Sequence, residues 1–457
     1  MQFGNENSMI ITMKTFAINT LGCKVNQYES QQIRQLLEDS ILKQVELTDS
    51  PDLVVINTCC VTHIASSKSR QAIRKAQKHN PNAKIVIAGC LPAGHTGELD
   101  NIQGDVTVID KKNALLDVLN GIIASKNNPH TTSKPILASK IKNKNDLSDD
   151  IALSGYHLRQ YKGQSRAFVK VQDGCDGYCS YCIVPKTRNT LYNKPQTQVL
   201  DEVAKLVYAG HKEIVLTGIF LGAYGRDTVR RKKWEKISPN PLADLIDKTA
   251  SVDGLKRLRL SSLEPGDVTN ELLDVFCKHD NIMPHLHLPL QSGSAHILRK
   301  MCRQYTIEDF MQSVAKLKDR LDRPAITTDI IVGFPGETDE DFKKTCYIAR
   351  QMGFSKIHVF SYSRRKNTPA YNMDNQLTPD IIKERSKILR DIDLELQNKF
   401  RNKFIGEQVG IIVEQCNPVR GRTERYFMVE FDKQVRYNKG KHIFGTLQND
   451  GWTASIF

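Results

Sequence analysis

Cys175, Cys179 and Cys182 stand in the run CDGYCSYC, with the spacing C-x3-C-x2-C and no fourth thiol nearby. An iron–sulfur cube contains four irons and is normally held by four thiolates. Three protein ligands leave one iron open, and an open iron can bind and reduce a small molecule. Zinc is the competing account. Zinc sites take four protein ligands, usually in paired C-x2-C units, and no second pair exists here. The ligand arithmetic therefore points to a redox catalyst.

A second set of three thiols is spread through the first hundred residues. Cys23 closes the run TFAINTLGC, Cys59 the run LVVINTC and Cys90 the run KIVIAGC, at separations of 36 and 31 residues. Each follows a segment that reads as a buried parallel strand, so the three converge on one edge of a sheet. Three thiols at equivalent strand ends favour a metal site over core packing. Cys60 points elsewhere on strand or turn geometry. The chain has eleven cysteines, and Met1–Met13 lack the basic-then-apolar pattern of an export signal. Metal binding or catalysis is the better account of such clustered thiols than disulfides. Cys277, Cys302, Cys346 and Cys416 stand singly and are assigned no function, since most free cysteines are small core residues.

The elements that must position these thiols follow from periodicity. Apolar runs at Thr15–Leu21, Leu53–Ile56, Lys84–Ala88 and Val106–Ile109 alternate with helical patterns such as Asn26–Asp39 and Ser66–His79. This alternation predicts an open parallel α/β domain over residues 13–125. Residues 126–150 are polar and rich in Lys, Asn and Ser, and read as a linker. Residues 151–397 repeat the strand–helix unit six times, with strands expected at Ala167–Gln172, Glu213–Thr217, Lys256–Ser261, His285–Leu290, Ile326–Val332 and Lys356–Ser361. Six such units suit a partial (β/α)6 barrel, with ligands at the carboxyl ends of its strands. A basic insertion, Arg226–Lys236 (RDTVRRKKWEK), carries six basic and two acidic residues after the second of those strands. Residues 398–457 show β-patterned runs with glycine turns, as in a small β-barrel.

At 457 residues, 40% hydrophobic and 25% charged, the chain has the composition of a soluble multidomain protein. No apolar run approaches the roughly 20 residues that span a bilayer, so the expectation is a cytoplasmic protein without membrane association. The net charge of +14 suggests a polyanionic partner without distinguishing RNA, DNA or an anionic surface. From Lys399 onward, ten basic and six acidic residues interleave with Tyr426, Phe427, Tyr437 and Phe444. That mixture could neutralise phosphates and stack bases, although aromatics alone are more often core.

With Tyr181 in the aromatic place, C-x3-C-x-aromatic-C resembles the radical S-adenosylmethionine (SAM) signature. The resemblance implies that the open iron chelates SAM and that an electron cleaves it to methionine and a 5′-deoxyadenosyl radical. LGCKVN at Leu21–Asn26, NTCCVT at Asn57–Thr62 and AGC at Ala88–Cys90 resemble the motifs of the methylthiotransferases. So do QDGC at Gln172–Cys175, TGIFLGAYG at Thr217–Gly225, RLSSLEP at Arg259–Pro265, HLPLQSGS at His287–Ser294 and DIIVGFPGET at Asp329–Thr338.

Membership of that family implies two [4Fe–4S] clusters, on Cys175, Cys179 and Cys182 and on Cys23, Cys59 and Cys90. The second carries a sulfur that a first SAM methylates, and the radical opens an unactivated C–H bond to receive it. By motif position, Tyr181, Gly218, Glu264, Gln291, Ser292 and Gly333 are candidate SAM contacts, and no catalytic residue is implied beyond the cluster ligands. The C-terminal region resembles the small RNA-binding (TRAM-like) barrel of the family. LGCKVN resembles the branch acting on N6-threonylcarbamoyladenosine beside the tRNA anticodon. A branch acting on isopentenyl-adenosine tends to read GCQMN, and one acting on a ribosomal-protein aspartate LGCPKN. The implied partners are the tRNA anticodon stem-loop and an electron-donor protein. A non-catalytic iron–sulfur RNA-binding protein is the alternative from another class, but a structural cluster has no need of an open iron.

Overall fold

A computed structural model describes residues 13–455 apart from 95–96, 103, 112–113, 125–135, 138–155, 236 and 432–435. Two compact units meet between His157 and Leu158. The first holds a six-stranded parallel sheet in the order β2-β1-β3-β4-β5-β6. Its strands are β1 (Thr15–Thr20), β2 (Lys43–Gln44), β3 (Leu53–Thr58), β4 (Lys84–Gly89), β5 (Val106–Val108) and β6 (Ile136–Leu137). Every residue of β3 is buried. Its side chains alternate between two cores, Leu53 and Val55 packing with Ile33 and Leu37 of helix Lys24–Asp39, and Val54 and Ile56 with Ile73 and Ala76 of helix His63–His79. Alternate residues of a doubly covered strand face opposite layers, which is why the run is apolar throughout. The expected linker over 126–150 lies outside the described residues except for Ile136 and Leu137, which pair with Thr107 and Val108.

In the second unit six parallel strands form the expected partial barrel: β7 (Ala167–Asp173), β9 (Glu213–Gly218), β10 (Arg257–Leu260), β11 (His285–His287), β12 (Ala325–Val332) and β13 (Lys356–Ser361). An unanticipated antiparallel strand, β8 (Tyr192–Asn193), pairs with the end of β7. The ladder runs β10-β9-β7-β8 and β11-β12-β13, with bridges Leu258↔Ile282 and Ser262↔His287 joining the two. β11 stops at His287 rather than Leu290, because Pro289 has no N–H to give the ladder. Capping boxes at Thr306/Asp309 and Thr338/Asp341 start two of the covering helices, satisfying N–H groups that the first turn leaves open.

A closed five-stranded barrel follows: β14 (Gln408–Cys416), β15 (Val419–Thr423), β16 (Met428–Phe431), β17 (His442–Leu447) and β18 (Thr453–Ser455). Its turn between β15 and β16 closes the floor of the larger barrel. Tyr426 stacks on His285 with centroids 4.0 Å apart, and Arg259 donates to the carbonyls of Thr423 (2.6 Å) and Glu424 (2.8 Å). Beneath them the fully buried Glu213 carboxylate accepts from Arg259 at 2.8 Å and lies 3.6 Å from both Arg166 and Arg257.

His442 sits 3.3 Å from Arg257 at the same junction. Burial, followed by the Arg257 charge, lowers its pKa from 6.5 to about 4. A folded pKa below the unfolded value means that the unfolded chain takes up the proton first, so stability declines as pH falls from 6.5 toward 4. His442→Gln is expected to melt with a shallower pH dependence than the wild type across that window. Parallel melting curves would remove His442 from the acid response.

Candidate functional site: two three-cysteine centres

The first thiol group lies on the loop that leaves β7. Gly174 turns the chain at φ +81°, and a Cβ there would fall 1.9 Å from the Thr190 carbonyl, so only glycine fits. The loop is pinned at several points. Cys175 N–H donates to Arg188 O (2.9 Å), Ser180 N–H to Met301 O (3.1 Å) and Ser180 Oγ to Lys300 O (2.7 Å). Donors also approach the sulfurs: Gly177 N–H lies 3.3 Å from Cys175 Sγ, and Arg303 Nη1 lies 3.0 Å from Cys179 Sγ.

Burial pushes the Cys175 thiol up to about 11 and the Cys182 thiol to about 12, and the neighbouring sulfur charges add to the rise. Thiols so placed ionise only when a strong cation compensates, as iron does. Clustered thiols on a fixed loop, with N–H donors aimed at sulfur, fit a [4Fe–4S] cube with one iron free of protein ligands.

The candidate SAM contacts divide. Tyr181 is buried with its hydroxyl 3.3 Å from Arg303 Nη1. Glu264 is held between Arg303 and Arg231, the latter at 3.2 Å. Gln291 adopts φ +62° in the segment after β11 and is nine-tenths buried. Gly218 ends β9 against Gln172, whose Oε1 accepts from Phe220 N–H at 2.7 Å. Gly333 is explained by packing, since a Cβ there would lie 2.4 Å from Ile382. Ser292 is fully buried, its hydroxyl 3.3 Å from Thr345 Oγ1 and accepting from Ser294 N–H. That hydroxyl therefore fastens a turn between Ser292, Ser294 and Thr345. Arg303 and Arg231 escaped the sequence reading. A further inner-face group, His287, Asp329 and His358 on three adjacent strands, brings its polar atoms within 4.8 Å of one another.

The second thiol group is assembled by the sheet edge. Cys59 directly follows β3, Cys90 follows β4, and Cys23 caps the helix after β1. Register places Thr20 beside Asn57 and Thr58 beside Gly89. Asn26 Nδ2 donates to Leu21 O (2.8 Å) and Thr58 O (2.9 Å), while Thr58 Oγ1 donates to Ala88 O and accepts from Leu91 N–H. Gly22 lies so close that a Cβ would be 2.9 Å from Cys59 Cβ. Cys60 is buried behind the group, its Sγ 3.1 Å from Cys90 O. The three loops therefore converge as the strand periodicity required. Three thiols on loops knitted by buried amides fit a second cube.

Of the aromatic residues on the C-terminal barrel, Phe427 is core, Tyr426 stacks on His285 and Tyr437 packs edge-on against Phe431. Phe444 alone of the four is more than half exposed, at 54%, its ring tilted against His442 at 5.0 Å.

Residues 169–346 match the Radical SAM superfamily, and residues 15–110 match the family described as Uncharacterized protein family UPF0004. The chain is 35% identical to the threonylcarbamoyladenosine tRNA methylthiotransferase MtaB of Bacillus subtilis, over 92% of this chain and 90% of that one. It is 38% identical to the protein of that name from Chlamydia pneumoniae, over 88% and 87%. The chain belongs to the radical SAM methylthiotransferases. Like other members it is an enzyme that works with SAM and iron–sulfur clusters. A methylthiotransferase relative from Clostridium tetani, tRNA-2-methylthio-N(6)-dimethylallyladenosine synthase, is 32% identical over 91% and 90%. Among solved structures, the radical SAM methyltransferase TsrM of Kitasatospora setae superposes with TM-score 0.56 at 15% identity, covering 79% of this methylthiotransferase and 74% of TsrM. That likeness extends to the fold alone. Among the described residues, no helix is long and apolar enough to cross a membrane.

Proposed function

We propose that this chain is a cytoplasmic tRNA methylthiotransferase that converts N6-threonylcarbamoyladenosine beside the anticodon into its 2-methylthio derivative, served by an electron-donor protein. The observation that carries the reading is the pair of three-thiol groups, each at the carboxyl ends of parallel strands. In this reading Cys175, Cys179 and Cys182 hold the SAM-cleaving cluster in a core over residues 151–397. Cys23, Cys59 and Cys90 hold the sulfur-bearing cluster in a domain over 13–125, and residues 398–457 bind RNA. When bound, the barrel cluster supplies the electron that splits SAM into methionine and a 5′-deoxyadenosyl radical.

The protein's own groups position and shield that chemistry. Tyr181, Gly218, Glu264, Gln291 and Gly333 line the SAM side, and Ser292 holds the turn beside Gln291. Arg303 and Arg231 fix the Glu264 carboxylate, and the Tyr426 turn packs on His285 at the other end of the barrel. The substrate branch rests on LGCKVN and on the names of the relatives at 35% and 38% identity, against 32% for the dimethylallyl-adenosine enzyme. Mass spectrometry of tRNA nucleosides from a strain lacking the gene provides the test. The expected result is loss of 2-methylthio-N6-threonylcarbamoyladenosine, with the unmethylthiolated nucleoside accumulating. Loss of the isopentenyl derivative instead would move the substrate, and unchanged nucleosides would refute the reading.

A further inference from the structure

The basic insertion is not a loose charged loop. Thr228 Oγ1 and Val229 N–H donate to the two carboxylate oxygens of Asp176 at 2.7 and 2.8 Å, and Arg230 Nε donates to Asp176 O at 3.0 Å. Asp176 lies between the thiols Cys175 and Cys179. Val229 is fully buried, and its methyl would lie 3.3 Å from a Cβ placed on Gly177 of the same loop. Gln304 fastens the next turn, accepting from Arg231 N–H (2.9 Å) and donating to Val229 O (3.0 Å). Arg231 then turns inward to Asp267 (2.7 Å) and Glu264, while Arg226 and Arg231 both lie over the Trp234 ring, at 5.1 and 4.6 Å. Among the described residues, two cations stand outside this anchorage and a third, Arg230, is held beside Asp176 (3.3 Å) with its side chain part-exposed. Lys232 and Lys233 are exposed, and Arg230, 41% exposed, lies over the ring of Tyr178, itself 45% exposed.

A basic run on a mobile loop would lose the ordering free energy of its backbone on binding a partner. Here that backbone is already fixed to the cysteine loop, so the cations stand pre-arranged beside the barrel mouth. We propose that Arg230, Lys232 and Lys233 form a clamp for RNA backbone phosphates, with Tyr178 as an adjoining stacking face. The clamp rests on the tRNA reading and adds the place where the strand crosses the mouth on its way to the reacting base. Each phosphate neutralised releases counterions, so a clamp of this kind shows itself in the salt dependence of binding.

The probe is tRNA carrying unmethylthiolated N6-threonylcarbamoyladenosine, from a strain lacking this enzyme, bound by the cluster-reconstituted full chain in 50–200 mM KCl, a range of roughly the width that resolves a counterion slope. Lys232→Glu/Lys233→Glu is expected to weaken binding at least about tenfold. The log–log salt slope should fall by roughly 1.5, about 0.7–0.9 for each contact. Iron content and RNA-independent 5′-deoxyadenosine formation should stay at wild-type levels. Lys383→Glu/Lys387→Glu, on the exposed side of helix Pro379–Arg401, removes the same charge elsewhere and should change affinity by less than about threefold. An unchanged slope and affinity in the first variant, or an equal loss in the second, overturns the clamp while leaving the tRNA reading standing. A wild type that binds no tRNA overturns the tRNA reading and the clamp with it.

Discussion

Cys23→Ala is expected to leave SAM cleavage running and to end sulfur transfer. Cys23 is exposed, so losing its thiol opens no cavity and the fold should persist. Reconstituted iron should fall from about eight to about four atoms per chain, one cube in place of two. 5′-Deoxyadenosine should still form with dithionite, yet no methylthiolated nucleoside should appear. Cys179→Ala should give the reverse deficit: the sulfur-bearing cube intact and no 5′-deoxyadenosine. Product formation by Cys23→Ala would take that thiol out of the site. Deoxyadenosine from Cys179→Ala would do the same for the barrel loop.

Glu213→Ala should strongly destabilise the second unit. The carboxylate is fully buried, and its pKa is held below the ordinary value by Arg259, Arg166 and Arg257 against the opposing effect of burial. Its removal leaves Arg259, 1% exposed, and Arg257, 3% exposed, repelling one another with no carboxylate between them. Breaking a buried pair in this way costs about 3–5 kcal/mol, or roughly 5–8 °C in melting temperature for a unit of this size. Thermal unfolding of the full chain measures it. A shift within about 2 °C would falsify the view that Glu213 binds the two barrels into one cooperative unit.

The central strands were legible because Leu53–Thr58 and Lys84–Gly89 are buried on both faces, which writes an unbroken apolar run into the sequence. The placement of Cys23, Cys59 and Cys90 after parallel strands was legible for the same reason, since each follows such a run. β2 and β6 escaped notice because two residues carry no period, and they pair only as edge strands of a sheet set by others. Arg303 was missed because its partner Cys179 lies 124 residues away, and an arginine in a turn carries no local signal of what it faces. Ser292 carried a motif signal but no sign of its long-range partner, since Thr345, whose hydroxyl lies 3.3 Å from its own, stands 53 residues on. The insertion was visible as charge, but its anchorage on Asp176 depends on a contact some 50 residues long.

The floor contact between Tyr426 and His285 bears on how such enzymes can be recombined. A C-terminal β-barrel of this sort looks detachable, and grafting one from a relative would be the obvious route to a new RNA preference. In this chain, however, the graft would also replace the turn that packs on His285 and Arg259 of the larger barrel. A working chimaera would have to carry Glu213, Arg257, Arg259 and His285 as a matched set with the incoming turn. Inheritance of RNA preference and of barrel stability is thereby tied to the same few residues.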